Sequence, residues 1–243
     1  MTPAAGSDSL TNRSPNTIMP SEMIETGCRA IDERVGGFRR GAIILVLGPP
    51  MGGKRSICRN FIATGLRLGE GCIVSCTNTT AEQEHKEFKR ILGSDADKFL
   101  NEGRLAYIDL FSAAIGLPLE ERQHIKRIPS ASDLTSYNVA LRELLSSMRR
   151  KELKVRLLFD SVSTLLLYNP FQTVSRFLHI LFGKLRAMNV TSLFLLDEEA
   201  HEKSVVATIM GMCNGVLRVR SEDGKRLIKY ESERTRIEWI TCD

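Results

Sequence analysis

The sequence predicts an α/β fold: a mostly parallel central sheet, helices on both faces, and a β-hairpin at the C-terminal end. Three observations carry this. Short apolar runs alternate with segments of helical period, the pattern of doubly buried strands joined by crossover helices. One such run, "AIILVL", leads directly into the glycine-rich stretch "GPPMGGKRS", residues 48–56. The chain then closes on "GVLRVRSEDGKRLIKYESERTRIEWI", which alternates and turns at Asp223-Gly224, a hairpin signal followed by a last strand.

Taken in order, residues 1–21 are rich in Pro, Ser, Thr and Asn and lack a signal peptide's basic start and apolar middle. They read as a disordered tail, with one ordered domain over residues 22–243. A turn at Gly36-Gly37 precedes a strand over 42–47. Ile57, Phe61, Ile62 and Leu66 give residues 54–68 a helical spacing. A strand over 72–76, a charged helix over 82–92 and a strand over 105–110 follow. Residues 111–132, with two prolines, read as a long surface connection, and its "RQHIKR" as a solvated loop. A helix is expected over 133–150, then the strand Val155–Asp160. The Val174, Phe177, Leu178, Leu181, Phe182, Leu185 stripe predicts a helix over 173–188. A strand over 192–196, a charged loop and a helix over 205–212 lead to the hairpin.

At 243 residues the chain is one domain, and 42% apolar residues suffice for a sizeable core. With 6% aromatics and one tryptophan, Trp239, it is poor in base-stacking surface; 34 basic and 29 acidic residues are interspersed, giving +5 overall. Six cysteines show neither a C-x-x-C pair nor metal-type spacing, which suits reduced thiols in a cytoplasm. No stretch is apolar enough to cross a membrane.

Residues 48–56 match the phosphate-loop pattern G-x-x-x-x-G-K-[ST] (Walker A) at Gly48, Gly53 and Lys54, and depart from it at Arg55. Gly48, Pro49, Pro50, Met51, Gly52 and Gly53 would turn backbone N–H groups toward phosphate oxygens, and the following helix would add its positive end. Lys54 would reach the terminal phosphates. Asp160, ending a buried strand, stands where α/β sheets place ligand-facing residues and could hold Mg²⁺ or its water shell.

The chain resembles a KaiC-type domain of the RecA-like ATPases, a P-loop NTPase core. "TGCRAIDERVGGFRRGAIILVLGPPMGGKRS" is similar to that domain's start, "LLFDSVSTLL" to its Walker B strand, and "CNGVLRVR…GKRLIKY" to its closing strand and hairpin. The resemblance spans about residues 22 to 240. It implies ATP or ADP bound between neighbouring subunits of a ring, in a homo-oligomer or mixed with a related ATPase. Relatives include the archaeal flagellar accessory ATPase FlaH and the bacterial clock protein KaiC.

Three departures bear on catalysis. Arg55 replaces the hydroxyl that would ligate Mg²⁺, while Ser56 matches the family's second hydroxyl, which contacts the α-phosphate. Thr77 and Asn78 stand where the family has a Glu-Glu pair that activates water, and neither is a base near neutral pH. The hairpin's "K-x-R", offered to the neighbour's γ-phosphate, here reads Lys229-Tyr230-Glu231. Each such group is typically worth a factor of about 10² or more in rate. The expectation is a pseudo-ATPase: nucleotide bound, Mg²⁺ dispensable, turnover at background, and a regulatory role with a protein partner. An active ATPase of the KaiC/FlaH type, a RecA-like DNA-binding protein and a nucleotide-free scaffold are the alternatives. The acidic "DEEAHEK" after the 192–196 strand speaks against nucleic acid. That cluster (Asp197, Glu198, Glu199, His201, Glu202) reads as a solvated loop rather than a metal site, although its position puts Asp197 near any bound phosphate.

Overall fold

A computed structural model of the chain describes residues 22–118, 120 and 122–242; the tail expected over residues 1–21 lies outside them. Two short strands, β1 (Met23–Ile24) and β2 (Phe38–Arg39), pair antiparallel around α1 (Arg29–Val35). Gly36 ends α1 at φ 74°, in the left-handed region that a side chain would disfavour. The main sheet takes its strands from β3 (Ile43–Gly48), β4 (Gly71–Cys76), β5 (Leu105–Asp109), β6 (Ile125–Arg127), β7 (Val155–Asp160), β8 (Thr191–Asp197), β9 (Gly215–Glu222), β10 (Lys225–Ser232) and β11 (Arg236–Thr241). Their order is β11-β10-β9-β3-β8-β7-β4-β5-β6. Pairing is parallel from β9 across to β6, and only β9–β10–β11 run antiparallel, as the hairpin signal predicts. The described residues thus have the mostly parallel, helix-flanked architecture read from the sequence.

Because β3 is buried on both faces, its alternate residues feed two separate cores. Ile44 and Val46 face α2 (Lys54–Arg67), α3 (Ala81–Leu92) and α4 (Asp95–Asn101). Ile43, Leu45 and Leu47 face α5 (Leu134–Arg150), α6 (Val162–Tyr168), α7 (Phe171–Ala187) and α8 (Lys203–Gly211). The helix α3 starts with a capping box, Thr80 accepting from the Gln83 N–H and Gln83 from the Thr80 N–H, each at 3.1 Å. Such a cap contributes about 1 kcal/mol.

The chain holds more structure than its periodicity suggests. Residues 111–132 are not wholly a surface connection: β6 lies within them, pairs parallel with β5, and buries Ile125. The "RQHIKR" stretch is therefore partly an edge strand. The helices α1, α4 and α6, seven residues each, are also absent from the periodicity reading. Among the described residues no helix is long and apolar enough to cross a membrane.

Candidate active site: a phosphate loop with its cations already paired

The loop leaves the C-terminal end of β3 where the parallel strands open toward helix N-termini. Gly48 has φ 151° and Gly53 φ 88°. A Cβ on Gly48 would stand 2.0 Å from the Val219 carbonyl oxygen, so β9 itself requires glycine there. Pro49, Pro50, Met51, Gly52, Gly53, Lys54 and Arg55, with Asp160, Ser161, Leu195 and Asp197, line a cleft of about 370 Å³. Ser56 and Lys229 do not line it.

Lys54, the first residue of α2, is 7% exposed and fully engaged. Its ammonium donates to the Gly48 carbonyl, to the Pro49 carbonyl at 2.9 Å, and to Asp197 Oδ1 at 2.6 Å. Strand register explains the last contact: β3 pairs parallel with β8, setting Gly48 opposite Asp197. Asp197 is thus no member of a solvated loop but the counter-ion of the loop lysine. Among the described residues no group of three or more His, Cys, Asp or Glu could hold a metal ion.

Arg55 leans across to β7. Its Nε donates to Asp160 Oδ2 at 2.6 Å and its terminal nitrogen lies 3.4 Å from Oδ1. Burial pushes the Asp160 carboxyl above its ordinary pKa, and the Arg55 charge opposes that rise. Mg²⁺ therefore finds a poor donor set: a guanidinium replaces the hydroxyl ligand, and the remaining carboxylate already carries a cation. The residues present do not fit the ion.

Thr77 and Asn78 have structural partners here, the first on backbone groups and the second on side chains. Thr77 Oγ1 donates to the Asp160 carbonyl at 2.7 Å and accepts from the Ser161 N–H at 2.6 Å. Asn78 Oδ1 accepts from Thr164 Oγ1 at 2.7 Å. They tie the end of β4 to the start of α6 and carry no base. Lys229 is held on its own hairpin by Glu231 at 3.5 Å and Glu238 at 3.2 Å. Nearer the cleft, Ser163 Oγ accepts from the Asp197 N–H and bonds His201 Nε2, each at 2.9 Å.

The structure thus gathers the loop and Asp160 in one cleft and keeps Lys229, expected among the nucleotide-binding residues, outside it on the hairpin; the part Asp197 plays as counter-ion is not among the expectations. The sequence signal for Asp197 is an acid that ends the strand after Walker B.

Over residues 24–237 the chain matches the family described as "ATPase: KaiC". The chain belongs to that family. A UPF0273 protein of Thermotoga maritima is 29% identical over 181 residues, covering 74% of this chain and 72% of its own. Among solved structures, a KaiC-like protein of Pyrococcus horikoshii superposes with a TM-score of 0.65 at 18% identity, over 90% of this chain and 93% of its own. An uncharacterized protein of the same organism, crystallised with an unknown peptide, gives 0.70 at 15% identity, over 87% and 91%. These structures share the RecA-like KaiC fold. Membership of the KaiC family implies a nucleotide, and the glycine cradle and cleft of residues 48–56 suit its phosphates.

Proposed function

We propose that the chain binds ATP or ADP through residues 48–56, needs no Mg²⁺ to do so, and turns nucleotide over at or near background. On this reading the ordered domain over residues 22–243 is a cytoplasmic regulatory or signalling subunit, in a homo-oligomeric ring or mixed with a related ATPase. One observation carries it: Arg55 occupies the metal-ligand position and pairs with Asp160, the residue that would complete the metal site. A permanent cation there substitutes for part of the ion's charge while offering nothing to activate water. The absent acids at Thr77 and Asn78 and the acid Glu231 at the hairpin point the same way.

Calorimetric titration of the full chain with ATP and ADP, with Mg²⁺ or with EDTA, tests the reading. Wild-type affinity is expected to be the same in both buffers, Lys54→Ala to lose at least several-fold, and Arg55→Thr to bind more tightly with Mg²⁺ than without. EDTA abolishing wild-type binding would overturn the metal claim. Lysine-dependent turnover near one per minute would overturn the catalytic one. That last result would favour the second reading, an active ATPase of the KaiC/FlaH type, in which Asp197 on the cleft wall, or Glu198 after it, would supply the base. Loss of that turnover in Asp197→Asn and Glu198→Gln variants separates the two.

A further inference from the structure

A third cation reaches the phosphate loop, and it comes from the hairpin. Arg226 is the second residue of β10, in register with Ser221 of β9. Its Nε stands 2.5 Å, and its Cδ and Cζ 3.3 Å, from where a Cβ on Gly53 would be. The guanidinium therefore rests on the last glycine before Lys54, against the N-terminal end of α2. Its backbone is fixed from the other side by the Cys242 N–H, which donates to the Arg226 carbonyl at 2.8 Å.

Two features mark this placement as more than packing. Lys54 and Arg55 each have a carboxylate, whereas no side-chain hydrogen bond or ion pair engages half-buried Arg226 among the described residues. And the first turn of a helix carries positive partial charge, which favours anions and repels cations. A guanidinium resting there without a counter-ion is unfavourable until an anion lies between the two. α2 adds no acid of its own in that turn.

We infer that Arg226 is a cis-acting phosphate-binding residue, closing on a nucleoside di- or triphosphate held in the chain's own loop. This rests on the nucleotide-binding reading above. It replaces a contact across subunits with one within the subunit: the hairpin position from which an arginine would reach a neighbour is Glu231, engaged by Arg218 at 3.0 Å and Arg236 at 3.3 Å. The same hairpin delivers a different arginine inward.

The test uses the full chain with ADP as probe. Arg226→Gln keeps much of the side chain's length and loses its charge. It is expected to weaken ADP binding about tenfold or more, the scale of a lost hydrogen bond to a charged group, and to make binding less sensitive to added salt. Arg226→Lys is expected to recover part of the affinity and most of the salt sensitivity, which a packing role would not produce. In wild type, ADP should protect Arg226 from an arginine-specific dicarbonyl reagent, read by mass spectrometry, so the outcome does not depend on any variant folding. Should the chain prove oligomeric, mixing Arg226→Gln with Lys54→Ala subunits should restore no binding, because the two residues must lie on one chain. Unchanged affinity and salt dependence in Arg226→Gln, or no protection by bound ADP, would overturn the inference alone. Absence of any ADP or ATP binding by wild type would remove the nucleotide reading and this inference together.

Discussion

Lys54 can reach a phosphate only by giving up one of its partners, and the charged one among them is Asp197. Its ammonium has three protons, and the Gly48 carbonyl, the Pro49 carbonyl and Asp197 take all of them. The carboxylate competes with any phosphate for the same cation and repels it besides. Asp197→Asn should therefore tighten ADP binding, by on the order of 1 kcal/mol or about fivefold in Kd; titration of variant and wild type in one buffer checks it, and equal or weaker binding would refute the competition. Every residue of the loop is legible in the sequence because the motif is local. The pair is not: Lys54 and Asp197 are 143 positions apart and meet only through the register of β3 with β8. Arg226 is illegible for the same reason, since only strand order brings β10 beside the loop.

At the scale of elements, β7 carries a charge that its apolar neighbours conceal. Arg156 is fully buried, ion-paired with Glu70, and donates to the carbonyls of Glu25 at 2.7 Å and Phe61 at 2.9 Å. Arg40 reaches the same Glu70 carboxylate at 3.2 Å. A Cβ on Gly65 would lie 2.5 Å from the Arg156 side chain, so α2 can pack on β7 only with glycine there. Glu70→Ala would leave a buried guanidinium uncompensated and is expected to cost about 3–5 kcal/mol. Arg156→Met, which removes the charge itself, should cost clearly less; urea midpoints of the two variants decide. The long elements are legible in the periodicity because their apolar faces repeat over several turns. The same signal is missing from α1, α4 and α6, which make barely two turns each, and from β6, two of whose three residues are charged.

The whole molecule is closed where its two described ends meet. Cys28, just before α1, and Cys242, just after β11, are both buried and join the same core. A hydrogen bond from Cys242 lowers the Cys28 thiol to about 7, against the upward push of burial. The native state thus favours the thiolate more than the unfolded chain does, whose ordinary value is 9.0. Its contribution to stability is full above about pH 9 and is lost as pH falls through about 7. Thermal midpoints measured from pH 6 to 9 should rise over that interval in wild type and flatten in Cys28→Ser, the pH values being set by the two limits. A wild-type profile that the serine variant reproduces would dismiss the thiolate. Nothing local predicts this contact, which joins the residue before α1 to the residue after β11.

The ion pairs that occupy Lys54 and Arg55 also bear on time. A loop whose two leading cations are already neutralised exerts little long-range pull on a polyanion. Productive docking waits until the pairs part, so capture draws on a minor open population and the apparent Kd rises by the inverse of that fraction. The observed association rate should then level off with increasing nucleotide, at the rate of opening, rather than climb in proportion to concentration. Stopped-flow mixing with a fluorescent ADP analogue would display that plateau, and Asp197→Asn should lift it. A wild-type rate that stays linear throughout would mean that the pairs yield as fast as the ligand arrives.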